Sequence, residues 1–148
     1  MKTRIIVCGG RDFTDKEKFS KYLDIILSRY ENIEIVSGGA KGADSFSEEY
    51  AHEHGIPITI FKANWSKYGK AAGPIRNKEM LKYALMEKPV IIAFWDGKSR
   101  GTKNMLKQAK QAGAVCHIVH YRDDDPGELT KEEKQKINEI VKIVLSGI

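Results

Sequence analysis

Cysteine is scarce in this chain: Cys8 and Cys116 are the only two, both inside apolar runs and without CxxC spacing. Buried, reduced thiols are the natural reading, which places the protein in a cytoplasm. Long hydrophobic runs are missing as well. No stretch approaches the roughly 20 apolar residues of a membrane helix, so no membrane partner is expected. The opening Met1-Lys2-Thr3-Arg4 runs directly into Ile5-Ile6-Val7, too short for the core of a signal peptide. Histidines are few and badly spaced for a metal: His52 and His54 are two apart on a helix, and His117 and His120 three apart on a strand. No metal and no cofactor is expected. Gly-Lys-Ser/Thr is absent, which excludes a Walker A loop, and so is GxSxG, which removes support for a serine-nucleophile hydrolase.

What is present is an ordinary globular composition. The 148 residues are 41% hydrophobic and 30% charged, enough for one domain with a real core. Net charge is +5, and its distribution is uneven. From Lys62 to Lys107 eleven Lys/Arg face three Asp/Glu, whereas Arg122 to Ile148 holds five basic and seven acidic residues. A basic excess of this size favours an anionic partner, either a phosphate-bearing small molecule or a nucleic-acid backbone. A solvated lysine-rich surface is the plain alternative.

Five short aliphatic runs alternate with amphipathic stretches. The runs are Arg4–Cys8, Ile33–Val36, Pro57–Phe61, Val90–Phe94 and Val115–Val119. Helical spacing of Phe19, Tyr22, Leu23, Ile26 and Leu27 marks the first helix, and others are expected over about 43–54, 74–86 and 103–112. The segment between Phe61 and Pro74 reads as a loop. Near-continuous aliphatic strands separated by helices imply a sheet covered on both faces. The expected fold is α/β: a Rossmann-like, doubly wound, mainly parallel five-stranded sheet with helices on both faces. Residues 1–121 would form that domain. Residues 122–148 would be a linker and an appended C-terminal amphipathic helix, whose stripe of Ile137, Ile140, Val141, Val144 and Leu145 docks on its own domain or makes a homodimer contact.

In such a sheet ligands bind beyond the carboxyl ends of the strands. Those ends carry Gly9-Gly10-Arg11, then Gly38-Gly39-Ala40-Lys41-Gly42-Ala43-Asp44, then Asp96-Gly97 followed by Gly101-Thr102. Glycines 38, 39 and 42 permit close approach to the backbone, and the following helix aims its free N–H groups at the turn. The turn is thus an anion site, or else tight strand–helix packing. Arg11 and Arg76 are candidate phosphate binders because a guanidinium presents a planar fork of donors. Arg76, next to Asn77 and just after Gly73-Pro74, is expected in the first turn of its helix; a salt bridge to Glu79 or Glu48 is the competing role. For Asp44, capping the helix is favoured over a hydrogen bond to a ribose hydroxyl. Asp96 suits a sugar contact, acid–base chemistry, or a simple Asp-Gly turn. Trp65 and Tyr68 suit base stacking, or merely cover the open end of the sheet.

Taken together, IIVCGGRDFTD, IVSGGAKGAD, YGKAAGPIRNKEM and FWDGKSRGTKNM resemble the YspA-like branch of the SLOG superfamily. That superfamily groups the DNA-processing protein Smf/DprA with the LOG nucleoside-phosphate hydrolases. The resemblance covers about residues 4–120. It implies a Rossmann-like fold whose glycine loops bind nucleotides or nucleotide-derived ligands. It further implies that Gly38–Gly42 and Arg76 match the glycine loop and helix-opening arginine of LOG enzymes. Gly101 and Thr102 match part of their PGGxGTxxE segment, but Met105 stands where that segment has its catalytic glutamate. The expected ligand-binding set is therefore Gly9, Gly10, Arg11, Gly38, Gly39, Lys41, Gly42, Asp44, Arg76, Asn77, Asp96, Gly101 and Thr102, with no residue assigned to catalysis. The leading expectation is a domain that binds a nucleotide or nucleotide derivative, with sensing as its role. The alternatives are a LOG-like N-glycosidic hydrolase, with Asp44, Asp96 or Glu79 as substitute acid, or another nucleotide-processing enzyme, and a DprA-like nucleic-acid binder.

Overall fold

The computed structural model describes residues 1–121; the expected linker and helix of 122–148 lie outside the described residues. Strands β1 (Thr3–Gly9), β2 (Ile33–Ser37), β3 (Ile58–Ile60), β4 (Lys88–Trp95) and β5 (Val115–His120) form one sheet. Their order is β3-β2-β1-β4-β5, and every pairing is parallel. Helices α1 (Lys16–Leu27), α2 (Ala43–His54), α4 (Ala72–Leu85) and α5 (Arg100–Gln111) cover it, and a short α3 (Trp65–Tyr68) follows β3.

Period-two alternation divides the strand residues between two cores. Ile5, Val7, Ile35, Val90, Ile92 and Phe94 pack with α1 and α2, where Phe13, Phe19 and Phe94 meet at ring separations of 4.9 to 6.5 Å. Ile6, Val36, Ile91 and Ala93 face the other way, onto Met80, Leu81 and Ala84 of α4 and Met105, Leu106 and Ala109 of α5. Each large side chain fully buried in this way contributes roughly 1.5–3 kcal/mol. The result is a doubly wound Rossmann-like α/β fold. The chain steps outward from β1 to β3, then returns to lay β4 beside β1, so the switch point lies between the carboxyl ends of β1 and β4.

Two expectations need correction. The segment after Phe61 is not a plain loop: the Asn64 side chain accepts from Lys67 N at 3.1 Å and caps α3, and a 3₁₀ turn at Gly69–Ala71 leads into α4. Helix α4 begins at Ala72 rather than Pro74. A proline is tolerated there because the first turn's N–H groups have no intrahelical acceptor anyway. Arg76 is consequently the fifth residue of α4, beyond its first turn.

Candidate functional site

The glycine turns after β1 and β2 touch backbone to backbone. Gly42 has φ +74°, and a Cβ added there would run into the carbonyl of Gly10. Gly10 itself is tied to β4, its N–H donating to Phe94 O at 3.1 Å. Gly42 also stands at the N-cap of α2, so no side chain caps that helix. The expected capping role of Asp44 is therefore incorrect, because Asp44 lies inside the first turn, one residue past the start of the helix. An uncapped first turn leaves N–H groups and the positive end of the helix dipole directed at the switch point.

Around Gly38 the two faces of the sheet meet. Arg76 reaches over from α4 and donates from Nη1 to Gly38 O at 2.7 Å. A Cβ on Gly38 would lie 2.5 Å from the Arg76 Nη1 and 3.0 Å from Asp44 Oδ2, so any larger residue displaces the guanidinium from its place over the turn. Asp44 is 6% exposed; its Oδ2 accepts from Ala40 N at 3.1 Å, while Oδ1 is buried without a hydrogen-bond partner among the described residues. Burial raises the Asp44 carboxyl to about 6, against the hydrogen bond from Ala40 and the opposing charge of Arg76. Glu48 raises it further, and Arg11 lowers it. The salt bridge from Arg76 to Glu79 or Glu48 does not form; its contacts are Gly38 and Asn77. Of the eleven basic residues from 62 to 107, ten are exposed and Arg76 is not.

Asn77 carries this cluster onward to α5. It accepts from Arg76 Nε at 3.1 Å and donates from Nδ2 to Gly101 O at 3.2 Å and Asn104 Oδ1 at 3.1 Å. Asn77 is buried and its polar atoms are engaged, so it positions Arg76. Asp96 closes the turn after β4, its Oδ1 accepting from Lys98 N and Ser99 N, both at 2.8 Å. The simple-turn reading accounts for those contacts. Thr102 is buried beside Ser99 at 3.3 Å, and the N-cap Ser99 makes no capping bond to α5. Arg11 and Lys41 are exposed at the tips of their turns, with the Arg11 Cζ 5.8 Å from the Trp65 ring centre.

Gly9, Gly10, Gly38, Gly42, Asp44, Arg76, Asn77 and Gly101 thus belong to one connected cluster. Two of its supporting residues are not evident from sequence. Ser37 is fully buried under the turn, and its Oγ accepts from Gly39 N at 3.3 Å. Asn104 holds Asn77 and accepts from Gln108 Nε2 at 2.7 Å. A serine closing an aliphatic strand and an asparagine in the early turns of a helix are the available signals. Met105 is buried in the α4–α5 core.

A family model for the YspA, cpYpsA-related SLOG family matches residues 3–68, which span β1, β2, β3 and both glycine turns just described. Gene 61 protein of Mycobacterium phage D29 is 32% identical over 126 residues, 81% of this chain and 97% of that protein. The chain belongs to the YspA, cpYpsA-related SLOG family. Among solved structures, the DNA processing protein A (DprA) of Streptococcus pneumoniae matches with a TM-score of 0.63 at 16% identity. The match covers 95% of this chain and 56% of the DprA chain, and it is a likeness of fold. No described helix of this SLOG chain is long and apolar enough to cross a membrane.

Proposed function

We propose that this SLOG domain binds a nucleotide or nucleotide-derived ligand at the switch point between β1 and β4. The phosphate rests on the uncapped start of α2, within reach of Arg76 and Arg11, and the turns at Gly9–Gly10 and Gly101–Thr102 wall the site. The observation that carries this reading is the convergence, at one uncapped helix start, of Arg76, Gly38 and a buried Asp44 oxygen that has no partner among the described residues. A buried acceptor without a donor costs free energy, so a group retained in that state is suited to meeting a ligand. Family membership supports a nucleotide-related or nucleic-acid-binding role.

Binding of nucleic acid is the second reading. The basic residues between 62 and 107 favour it, as do half-exposed Trp65 beside Arg11 and Tyr68, whose ring centre lies 5.0 Å from Lys67 Nζ. Glycosidic hydrolysis has weaker support. Met105 faces apolar neighbours where LOG enzymes need a carboxylate, and Asp96 is engaged in its turn.

A thermal-shift screen against nucleotides, dinucleotides and cyclic nucleotides tests the reading. A ligand at 100 times its Kd adds about 2.7 kcal/mol of stability. Stabilisation that survives raised salt supports the nucleotide site. Stabilisation only by oligonucleotides, collapsing steeply with salt, favours the second reading. No stabilisation by any member of the panel overturns the proposal.

A further inference from the structure

We propose that the open edge of β3 is a docking site for an acidic, extended peptide segment of a partner protein, which adds to the sheet as a sixth strand. This surface lies at the outer edge of the sheet rather than at the switch point, and its use does not depend on the nucleotide reading above.

Among the described residues β3 is an outermost strand, paired with β2 alone. Pro57 O accepts from Ile35 N at 2.9 Å and Phe61 N donates to Ser37 O at 2.8 Å, so residues 57, 59 and 61 turn their backbone groups toward β2. Successive strand residues direct these groups to opposite edges. The N–H and C=O groups of Ile58 and Ile60 therefore point outward, where no described strand meets them. A row of unpaired backbone groups is a template for another extended chain. Edges are commonly blunted by a charged side chain, yet the last residue of β3 is Ile60, apolar and 41% exposed.

The side chains around this edge define the partner. Ile60, Trp65 and Tyr68 are three of the seven large hydrophobic side chains exposed among the described residues, and all three lie on β3 or on the α3 segment that follows it. From His54 to Lys78 the sequence holds five Lys/Arg and no Asp or Glu, and Lys62, Lys67 and Lys70 are exposed. Ile60 and Lys62 stand side by side at the end of β3, with Cγ2 and Cγ at 3.0 and 3.2 Å from the position a Gly39 Cβ would occupy. A basic surface with apolar side chains interleaved fits a segment in which acidic and apolar residues alternate. A second copy of the chain would instead bring two acid-free, lysine-bearing edges together. A nucleic acid would meet the lysines and stack on the rings, but its phosphates only accept, leaving the outward carbonyls of Ile58 and Ile60 without donors. A peptide strand supplies both donors and acceptors to that edge.

The test uses the full chain and two capped octapeptides, one alternating valine with glutamate and the other valine with lysine. Titrating the ¹⁵N-labelled chain with the glutamate peptide should move the amides of Ile58, Ile60 and Lys62 most. The lysine peptide should bind roughly tenfold more weakly or worse. Two N-methylated forms of the glutamate peptide then read strand addition itself. Methylating every valine nitrogen, or every glutamate nitrogen, removes the donors along one edge of the peptide and leaves the other edge intact. One form should lose roughly tenfold or more in affinity and the other much less, because only one edge faces β3. Equal losses in the two forms, or none in either, overturn strand addition. Failure of the glutamate peptide to move those amides, or equal binding of the lysine peptide, overturns the proposal as well. So does movement of the same amides by a single-stranded oligonucleotide but not by the peptide, which assigns the edge to nucleic acid. A shift of those amides with the concentration of the chain alone, without response to the peptide, assigns the edge to a second copy and overturns it equally.

Discussion

The two ends of the sheet each bury one carboxylate, and they treat it in opposite ways. At the amino end Glu34 is 3% exposed and saturated: it accepts from Lys2, Arg4, Thr59 and the Tyr83 hydroxyl. Arg4 is itself clamped, its Cζ 3.7 Å from the Tyr83 ring centre and its Nη1 donating to Tyr83 O at 2.7 Å. Burial would raise the Glu34 carboxyl, but these four hydrogen bonds outweigh it and hold the group below its usual range. At the carboxyl end Asp44 has, among the described residues, one backbone donor and an idle oxygen, and burial wins. One end is complete without a ligand. The other retains unspent hydrogen-bonding capacity beside an uncapped helix, which is the physical difference on which the proposed binding end rests.

Breaking the complete end should have the strongest consequence. Glu34→Leu leaves the Arg4 guanidinium and the Tyr83 and Thr59 hydroxyls without their acceptor. It should cost about 3–5 kcal/mol of stability, the range for removing one partner of a buried pair. Urea unfolding measures this, and nucleotide affinity of the folded fraction should not change. Arg76→Ala should do the reverse. We expect a loss of about 2–4 kcal/mol of nucleotide affinity, because a charged partner in a partly buried site is removed. Arg76→Lys should recover only part of this, keeping the charge without the planar fork. Exposed Lys82 and Lys107, changed to Ala, should each cost far less. Calorimetric titration separates the cases, and equal small losses in all four variants would reduce Arg76 to bulk charge.

A weaker effect lies in pH dependence, and there the two ends carry opposite signs. Asp44 has a folded-state value of about 6 against an ordinary 3.8. Between those values the native state holds more protons than the unfolded chain. Stability therefore falls as pH rises from about 4 to about 6, by at most about 3 kcal/mol, and stays lowered above. Asp44→Asn should remove this fall, so the variant is more stable than wild type at pH 7 and equal to it near pH 3.5. Glu34 behaves conversely: its contribution is present above its ordinary 4.5 and is lost as pH falls through its lowered folded-state value. Denaturation curves of wild type and Asp44→Asn across pH 3.5–8 give the difference directly. An Asn variant less stable at pH 7 would mean that the ionised carboxylate is well accommodated.

The carboxyl end is the more legible of the two in sequence, and the reason is local. Glycines at the ends of aliphatic runs announce turns, and helical or alternating spacing fixes the elements on either side. Asp44 reads as a cap because nothing near it in sequence reveals that Gly42 occupies the cap position. Arg76 stands out as a candidate, but its partner Gly38 is 38 residues away, so its geometry is beyond local reading. Glu34 gives no warning at all. A single charge inside Ile33–Val36 carries little signal, and its partners come from β1, β3, α4 and the residue preceding β1, separated from it by 25 to 49 residues. Such a network exists only once the sheet has assembled.

Whether the carboxyl end binds a nucleotide and the amino end does not is decided by amide chemical-shift mapping. The ¹⁵N-labelled chain is titrated with the nucleotide giving the largest thermal shift. Perturbations should concentrate at residues 9–11, 38–44, 76–77 and 96–102, with Lys2, Arg4, Glu34, Thr59 and Tyr83 unmoved. Shifts centred on those five residues, or spread evenly over the exposed lysines from 62 to 107, would contradict the assignment of the two ends.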